Sequence, residues 1–251
     1  MKTLNLRFIL TIPAISLVLA CRGGDPGSST SPTTPPLQAA TVPDTPPPAP
    51  AANYYSTNFG LTENPIDEVG RWVGGKSVGL DWNNVQTAAG KAFAADLTGT
   101  PGRYSDPIAV LNTSFAPNQY AQGTVSRAYG YSPRDQHEIE LLLRFQITAH
   151  SARGYEVLWA HTGGIAIVRW NSPLGSFTEL ANARIGAAIN GDVLRAEIIG
   201  SVIRVYKNGA LVLTGPSNTT WTDGQPGMGF WPLAGATLSS YGWKSFEAGS
   251  L

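Results

Sequence analysis

Glu138 and Glu140 stand one residue apart in an alternating run, so both project from the same side of an extended strand. Glu156 follows on the next extended segment. Two carboxyl groups about 5–5.5 Å apart can cleave a glycosidic bond with retention, one as nucleophile and the other as acid/base. Glu138 could act as nucleophile and Glu140 as the assisting carboxylate, but Leu142 and Leu143 occupy the positions for a proton donor and neither can transfer a proton. Only Glu156 could substitute. Elimination from a uronate is a second chemistry: a cation neutralises the carboxylate and a His or Tyr takes the proton. Arg144, His137, His161, Tyr129 and Tyr131 are of the right types. The three histidines, His137, His150 and His161, have no metal-ligand spacing.

Binding without chemistry uses other residues. Sugar rings offer C–H faces that stack on exposed aromatic side chains, and Trp170 beside Arg169, together with Tyr129 and Tyr131, could supply them. Trp159 shares the phase of the apolar Val157 and reads as packed. Arg195, Glu197 and Tyr206 fall on the polar side of their strands and are candidates for the same surface. The competing reading is a solvated sheet face with cross-strand ion pairs, each worth a few tenths to about 1 kcal/mol. Asp67, Asp192 and Asp223 are loop carboxylates that could hold a structural calcium, although turn formation is the commoner role of such residues. No other cofactor is implied.

These side chains need a β scaffold to position them, and the turn chemistry supplies one. Asn190-Gly191-Asp192 precedes Val193–Ile199, Gly200-Ser201 leads into Val202–Lys207, and Asn208-Gly209, whose residues tolerate positive φ, leads into Ala210–Thr214. Leu194, Ala196, Ile198, Ile203 and Val205 form the core side; Arg195, Glu197, Arg204 and Tyr206 face away. In Gln136–Thr148, Ile139, Leu141, Leu143 and Phe145 alternate with Glu138, Glu140, Leu142, Arg144 and Gln146. Further extended segments lie at Tyr54–Phe59, Trp72-Val73, Val78–Trp82, Pro107–Leu111, Gln119–Ala128, Gly154–His161, Ile165–Trp170, Phe177–Leu180, Met228–Trp231 and Tyr241–Phe246. Ala88–Leu97 reads equally as helix or strand, because Gly90 interrupts it. About a dozen short strands with frequent turns indicate an all-β sandwich.

The run from Gly191 to Leu213, followed by Asp223–Phe230, resembles the C-terminal half of laminin-G-like and concanavalin A-like lectin/glucanase domains. That resemblance implies a two-sheet antiparallel jelly roll with a concave face on which glycans lie. Laminarinase-like members carry their carboxylates on one strand as E-x-D-x-E or E-x-D-x-x-E. Glu138 and Glu140 match the first two positions and the leucines break the third.

With 42% hydrophobic and 14% charged residues, the 251-residue chain can bury a substantial core. Formal charge is zero and there is no basic run, which argues against a nucleic-acid partner. Lys2 and Arg7 precede an apolar run from Phe8 to Ala20, too short to span a bilayer but suited to a secretory signal. The run ends in Leu17-Val18-Leu19-Ala20-Cys21, which resembles a bacterial lipoprotein signal, and Cys21 is the sole cysteine. Residues 22–52 are rich in Pro, Ser, Thr, Gly and Ala and cannot bury enough apolar surface to fold. The expected organisation is a signal peptide over 1–20, a lipid-anchored disordered tether over 21–52 and a β-sandwich over 53–251. The expected function is a monomeric, non-enzymatic carbohydrate-binding or adhesive module on the cell envelope, with the outer membrane favoured by Arg22. A glycoside hydrolase or polysaccharide lyase, and a structural or protein-binding envelope domain, stand as alternatives.

Overall fold

Turn residues and alternation build the fold from its hairpins outward. In a computed structural model that describes residues 53–97, 106–128, 137–173, 175–233 and 236–251, Asn208 and Gly209 have φ of 50° and 80°. They close the hairpin between Val202–Lys207 (β12) and Ala210–Thr214 (β13) as the Asn-Gly signal predicts. The signal peptide, Cys21, the tether, Tyr129 and Tyr131 lie outside the described residues.

The other strands are Tyr54–Thr57 (β1), Trp72–Gly74 (β2), Val85–Thr87 (β3), Ala92–Ala94 (β4), Ile108–Leu111 (β5), Gln119–Arg127 (β6), Glu138–Thr148 (β7), Ser151–Ala160 (β8), Gly164–Pro173 (β9), Phe177–Arg184 (β10), Val193–Ile199 (β11), Gln225–Phe230 (β14) and Tyr241–Ser250 (β15). They form two antiparallel sheets. One runs β13-β12-β11-β6-β15-β4-β3 with β1 also on β15; the other runs β10-β9-β8-β7-β14-β5-β2. Strand β6 sits between β11 and β15, and β14 between β7 and β5. Such crossovers between the ends of the chain characterise a jelly roll.

Between the sheets lies one apolar cluster, with Ile139, Leu141, Tyr155, Val157 and Trp159 from the seven-stranded sheet meeting Leu194, Ala196, Val205, Trp243 and Phe246 from the other. Trp159 is packed there, as its phase predicts. A second cluster covers the opposite face of the seven-stranded sheet: Trp82, Val110, Leu142, Phe145, Ile147, Val168 and Trp170. The sequence pattern gave no sign of this second layer.

Two local expectations are corrected and one open alternative is settled. Val78–Trp82, read as extended, instead starts on the one helical turn Gly75–Val78 (α1) and continues without strand structure. Within Ala88–Leu97 only Ala92–Ala94 is regular, and it is a strand. The alternation of β7 breaks at Arg144, which has φ 47°. Pairing with β8 slips between Leu143 and Gln146, so Phe145 joins the outer cluster and Arg144 leaves the face where alternation put it. The bulge fits because its neighbours on both sides are glycines. A Cβ at Gly154 would lie 2.6 Å from the Phe145 Cα, and one at Gly224 would lie 2.3 Å from the Arg144 carbonyl carbon.

Turned out of the sheet, Arg144 is buried and donates from Nε to the Pro117 carbonyl (2.7 Å), from Nη1 to that of Trp221 (3.1 Å) and from Nη2 to that of Gly200 (2.8 Å). Gly200 closes the β11–β12 hairpin of one sheet while Arg144 belongs to the other, so this side chain ties the two sheets at one end. Arg144→Ala is expected to destabilise the fold by about 2–4 kcal/mol, because three carbonyls lose charged donors that cannot be replaced locally. Chemical denaturation read by circular dichroism measures it; a change under about 0.5 kcal/mol would contradict the tie.

Candidate functional site

Two surfaces of the sandwich carry the candidate residues, and their electrostatics differ. The first is the outer face of the seven-stranded sheet. On β7, Glu138, Glu140 and Leu142 point to it; on β8, Glu156 does; on β9, Trp170 does. Register aligns Glu140 with Leu158, and Leu142 with Glu156. The carboxyl that could substitute for a proton donor is therefore cross-strand partner to the leucine in that position.

Burial governs this face. Glu140 is 2% exposed and Glu156 6%. The Trp170 indole donates to Glu156 Oε2 at 2.6 Å and meets Trp82 edge-on at 5.0 Å. Glu140 leans over Gly229, where a Cβ would come within 2.2 Å of its Oε2, and that oxygen has no hydrogen-bond partner among the described residues. Burial, then the neighbouring Glu156 and Asp106, pushes the Glu138 carboxyl up to about 8. The same causes in the same order, with Glu138 added, hold Glu140 well above the carboxylate range. Burial raises Glu156 to about 7 against the opposing hydrogen bond from Trp170. Burial and mutual repulsion thus favour the protonated form of Glu138 and Glu140, whereas a glycosidase nucleophile must be ionised.

Other residues named for chemistry are dispersed. Arg144 is spent on backbone carbonyls and cannot neutralise a uronate. His161 is buried, its Nδ1 accepting from the His137 amide at 3.2 Å. Trp170, expected as an exposed stacking platform, is 4% exposed because Trp82, from the loop after α1, packs across it. Arg169 is held by Asn171 (2.8 Å) and Thr220 (3.0 Å). The loop aspartates serve turns and ion pairs. Asp67 accepts from the Gly70 amide, and Asp223 pairs with Arg153 at 3.1 Å. Burial raises the Asp192 carboxyl, but the Ile189 amide, Asn208 and Lys207 outweigh it and leave the group below its usual range. Among the described residues no three His, Cys, Asp or Glu side chains are grouped to hold a metal ion.

The second surface is the outer face of the eight-stranded sheet, and it brings together Arg195, Glu197 and Tyr206. Cross-strand register sets Tyr206, Arg195, Gln122, Glu247 and Ser56 in one row, and Arg204, Glu197, Tyr120, Gly249 and Tyr54 in the next. Arg195 donates from Nε to Glu197 at 2.6 Å, lies 4.0 Å from Glu247 through Nη1 and stacks over the Tyr120 ring at 3.6 Å. Burial, then Glu247, raises the Tyr120 hydroxyl, with Arg195 opposing. A cleft of about 400 Å³ runs between β1, β6 and β15, lined by Ser56, Asn58, Gln122, Thr124, Ser245 and Glu247 among others. A smaller one of about 160 Å³ adjoins it through Gln122 and reaches Arg195 and Tyr206.

Sequence reasoning missed Ser56, Tyr120, Gln122 and Glu247. The alternation of Tyr120, Gln122 and Thr124 with Ala121, Gly123 and Val125 was available as a signal, but not the pairing of β6 with β11 and β15 that gives it meaning.

The carboxyl cluster carries a pH signature. Because Glu138, Glu140 and Glu156 bind protons more tightly folded than unfolded, their contribution to stability is complete below about pH 4.5 and is lost as pH rises towards about 8. The midpoint of thermal unfolding is expected to fall by roughly 3–8 °C between pH 5 and pH 8, and Glu140→Gln is expected to flatten that fall. A profile unchanged by the substitution would contradict the burial.

No protein-family model matches the chain, and no curated protein does. Solved structures do. A kappa-carrageenase of Zobellia galactanivorans aligns with a TM-score of 0.51 at 12% identity, covering 81% of this chain and 98% of that one. A carbohydrate-binding module of Bacillus subtilis, CBM66, aligns with a TM-score of 0.49 at 12% identity over 72% of this chain and 92% of that one. A Bacillus licheniformis beta-glucanase gives 0.45 at 14% over 78% and 94%. At such identities the likeness speaks for architecture alone. The described residues thus have the concanavalin A-like jelly-roll fold that the Gly191–Phe230 pattern resembles.

Proposed function

We propose that this protein is a carbohydrate-binding module that does not cleave its ligand. One contrast carries the reading. The face with the candidate catalytic carboxyls has Leu142 at the donor position and a layer of Trp82, Phe145 and Trp170 over it, while the opposite face is open, polar and grooved. A glycan is met well by such a face: hydroxyls exchange hydrogen bonds with amides and hydroxyls, and ring C–H faces rest on tyrosines. The fold itself is neutral in the matter, since it serves both binding and hydrolysis among the structures it resembles.

Cleavage remains the second reading, favoured by the Glu156–Leu142 pairing that sets an acid beside the missing donor. Incubating the protein with β-glucans and uronate polymers separates the two. Binding should deplete the protein onto at least one polymer without new reducing ends or unsaturated ends. Products that vanish with Glu138→Gln or Glu156→Gln would establish an enzyme instead, a lyase where the new ends are unsaturated and a hydrolase where they are not.

We further propose that Cys21 is lipid-modified and that residues 21–52 hold the module off a bacterial membrane, at the outer membrane by virtue of Arg22. Expressed in a bacterial host, the protein should fractionate with membranes and label with palmitate, and Cys21→Ser should release it. A Cys21→Ser protein still confined to membranes would refute the anchor.

A further inference from the structure

Resting on the carbohydrate-binding reading and going further, we infer that the cleft between β1, β6 and β15 takes an uncharged glycan, not a uronate or a sulfated one. Its volume of about 400 Å³ falls within the roughly 300–1,000 Å³ of small-ligand clefts. What decides the ligand's charge is which of its polar groups are already engaged.

The ionised groups are engaged. Arg195 lines the adjoining smaller cleft, and it is held by Glu197 at 2.6 Å, lies 4.0 Å from Glu247 and is covered by the Tyr120 ring at 3.6 Å. An anionic sugar would have to displace two carboxylates to reach the guanidinium. It would also approach Glu247, which lines the cleft, at the cost of like-charge repulsion. Arg204 is the cross-strand partner of Glu197, and among the described residues the larger cleft is lined by no Lys or Arg that would attract an acid polymer.

The neutral groups are not engaged. The amides of Gln122 and Asn58 and the hydroxyls of Ser56 and Tyr206 make no hydrogen bond to a described residue, although each lines one of the two adjoining clefts. Amides and hydroxyls both donate and accept, as sugar hydroxyls do, so the unspent capacity of the face matches a polyol. Tyr54, 63% exposed and two residues before Ser56 on the same strand face, offers a ring at the edge. Gln122 is common to both clefts and so is the residue on which a bound chain should most depend.

The test is affinity electrophoresis and calorimetry of the full chain against neutral polymers (mixed-linkage β-glucan, glucomannan, arabinoxylan, levan) and anionic ones (alginate, polygalacturonate, kappa-carrageenan). At least one neutral polymer should be retained, insensitively to salt, and more tightly than any anionic one. Gln122→Ala should weaken that binding about tenfold and Asn58→Ala by a smaller factor, with thermal unfolding unchanged. A neutral polymer bound within twofold of wild type by both variants would overturn the cleft assignment and leave carbohydrate binding standing. Preference for an anionic polymer that salt abolishes would overturn the charge assignment. Retention by no polymer would overturn the carbohydrate reading itself.

Discussion

The bulge at Arg144 decides what each face of the seven-stranded sheet carries. Before it, β7 alternates regularly and sends Glu138, Glu140 and Leu142 outward. At Arg144 the chain takes a positive φ that two flanking glycines accommodate, and the parity of every later residue on the strand is reversed. Phe145 and Ile147 therefore join Leu142 on the outer face, and the guanidinium turns to bind three carbonyls at the end of the sandwich. A regular strand would have sent Arg144 outward towards the carboxyls, where it could have kept them ionised. One backbone irregularity thus ties the sheets and, among the described residues, turns Arg144 away from the acids.

That separation explains the opposite electrostatics of the two faces. A carboxylate buried beside other carboxylates lowers its free energy by taking a proton, and the Glu138–Glu140–Glu156 group follows that course. On the eight-stranded sheet Arg195 serves two carboxylates at once, so charge is kept and neutralised locally. The closer of these pairs is partly buried, its side chains 24% and 17% exposed. A face whose charges are neutralised in this way exerts little long-range attraction.

Local rules in the sequence were enough for the hairpins and for strand parity. Asn208-Gly209 fixed β12–β13, and the phases of β8 and β11 placed Trp159 and Leu194 inside and Arg195 and Glu197 outside. What failed depended on distant partners. Arg144 was misplaced because its bulge is licensed by Gly154 and Gly224, one of them 80 residues away, and nothing at Arg144 itself announces a break. Trp170 was given the right strand but the wrong exposure, since the ring that covers it comes from Trp82, on a loop nearly ninety residues earlier. Gln122 was passed over because a lone glutamine in a strand has no meaning until β11 and β15 are laid on either side of β6.

Leu142 bears on function more than the carboxyls around it. A proton donor at that position would share the outer face with Glu138 and Glu140, and its charge would be set by theirs. As a leucine it instead packs with Phe145, Trp82 and Trp170 in the outer apolar cluster. Glu156, its cross-strand partner, is drawn into the same layer by the Trp170 indole. Restoring a carboxyl at 142 alone would place one more acid into a site already crowded with protons and shut by aromatic rings. Reactivity would also require Trp82 and Trp170 to open. Leu142 and the aromatic rings therefore belong to one packed layer on the outer face of the seven-stranded sheet, while the outer face of the other sheet stays polar.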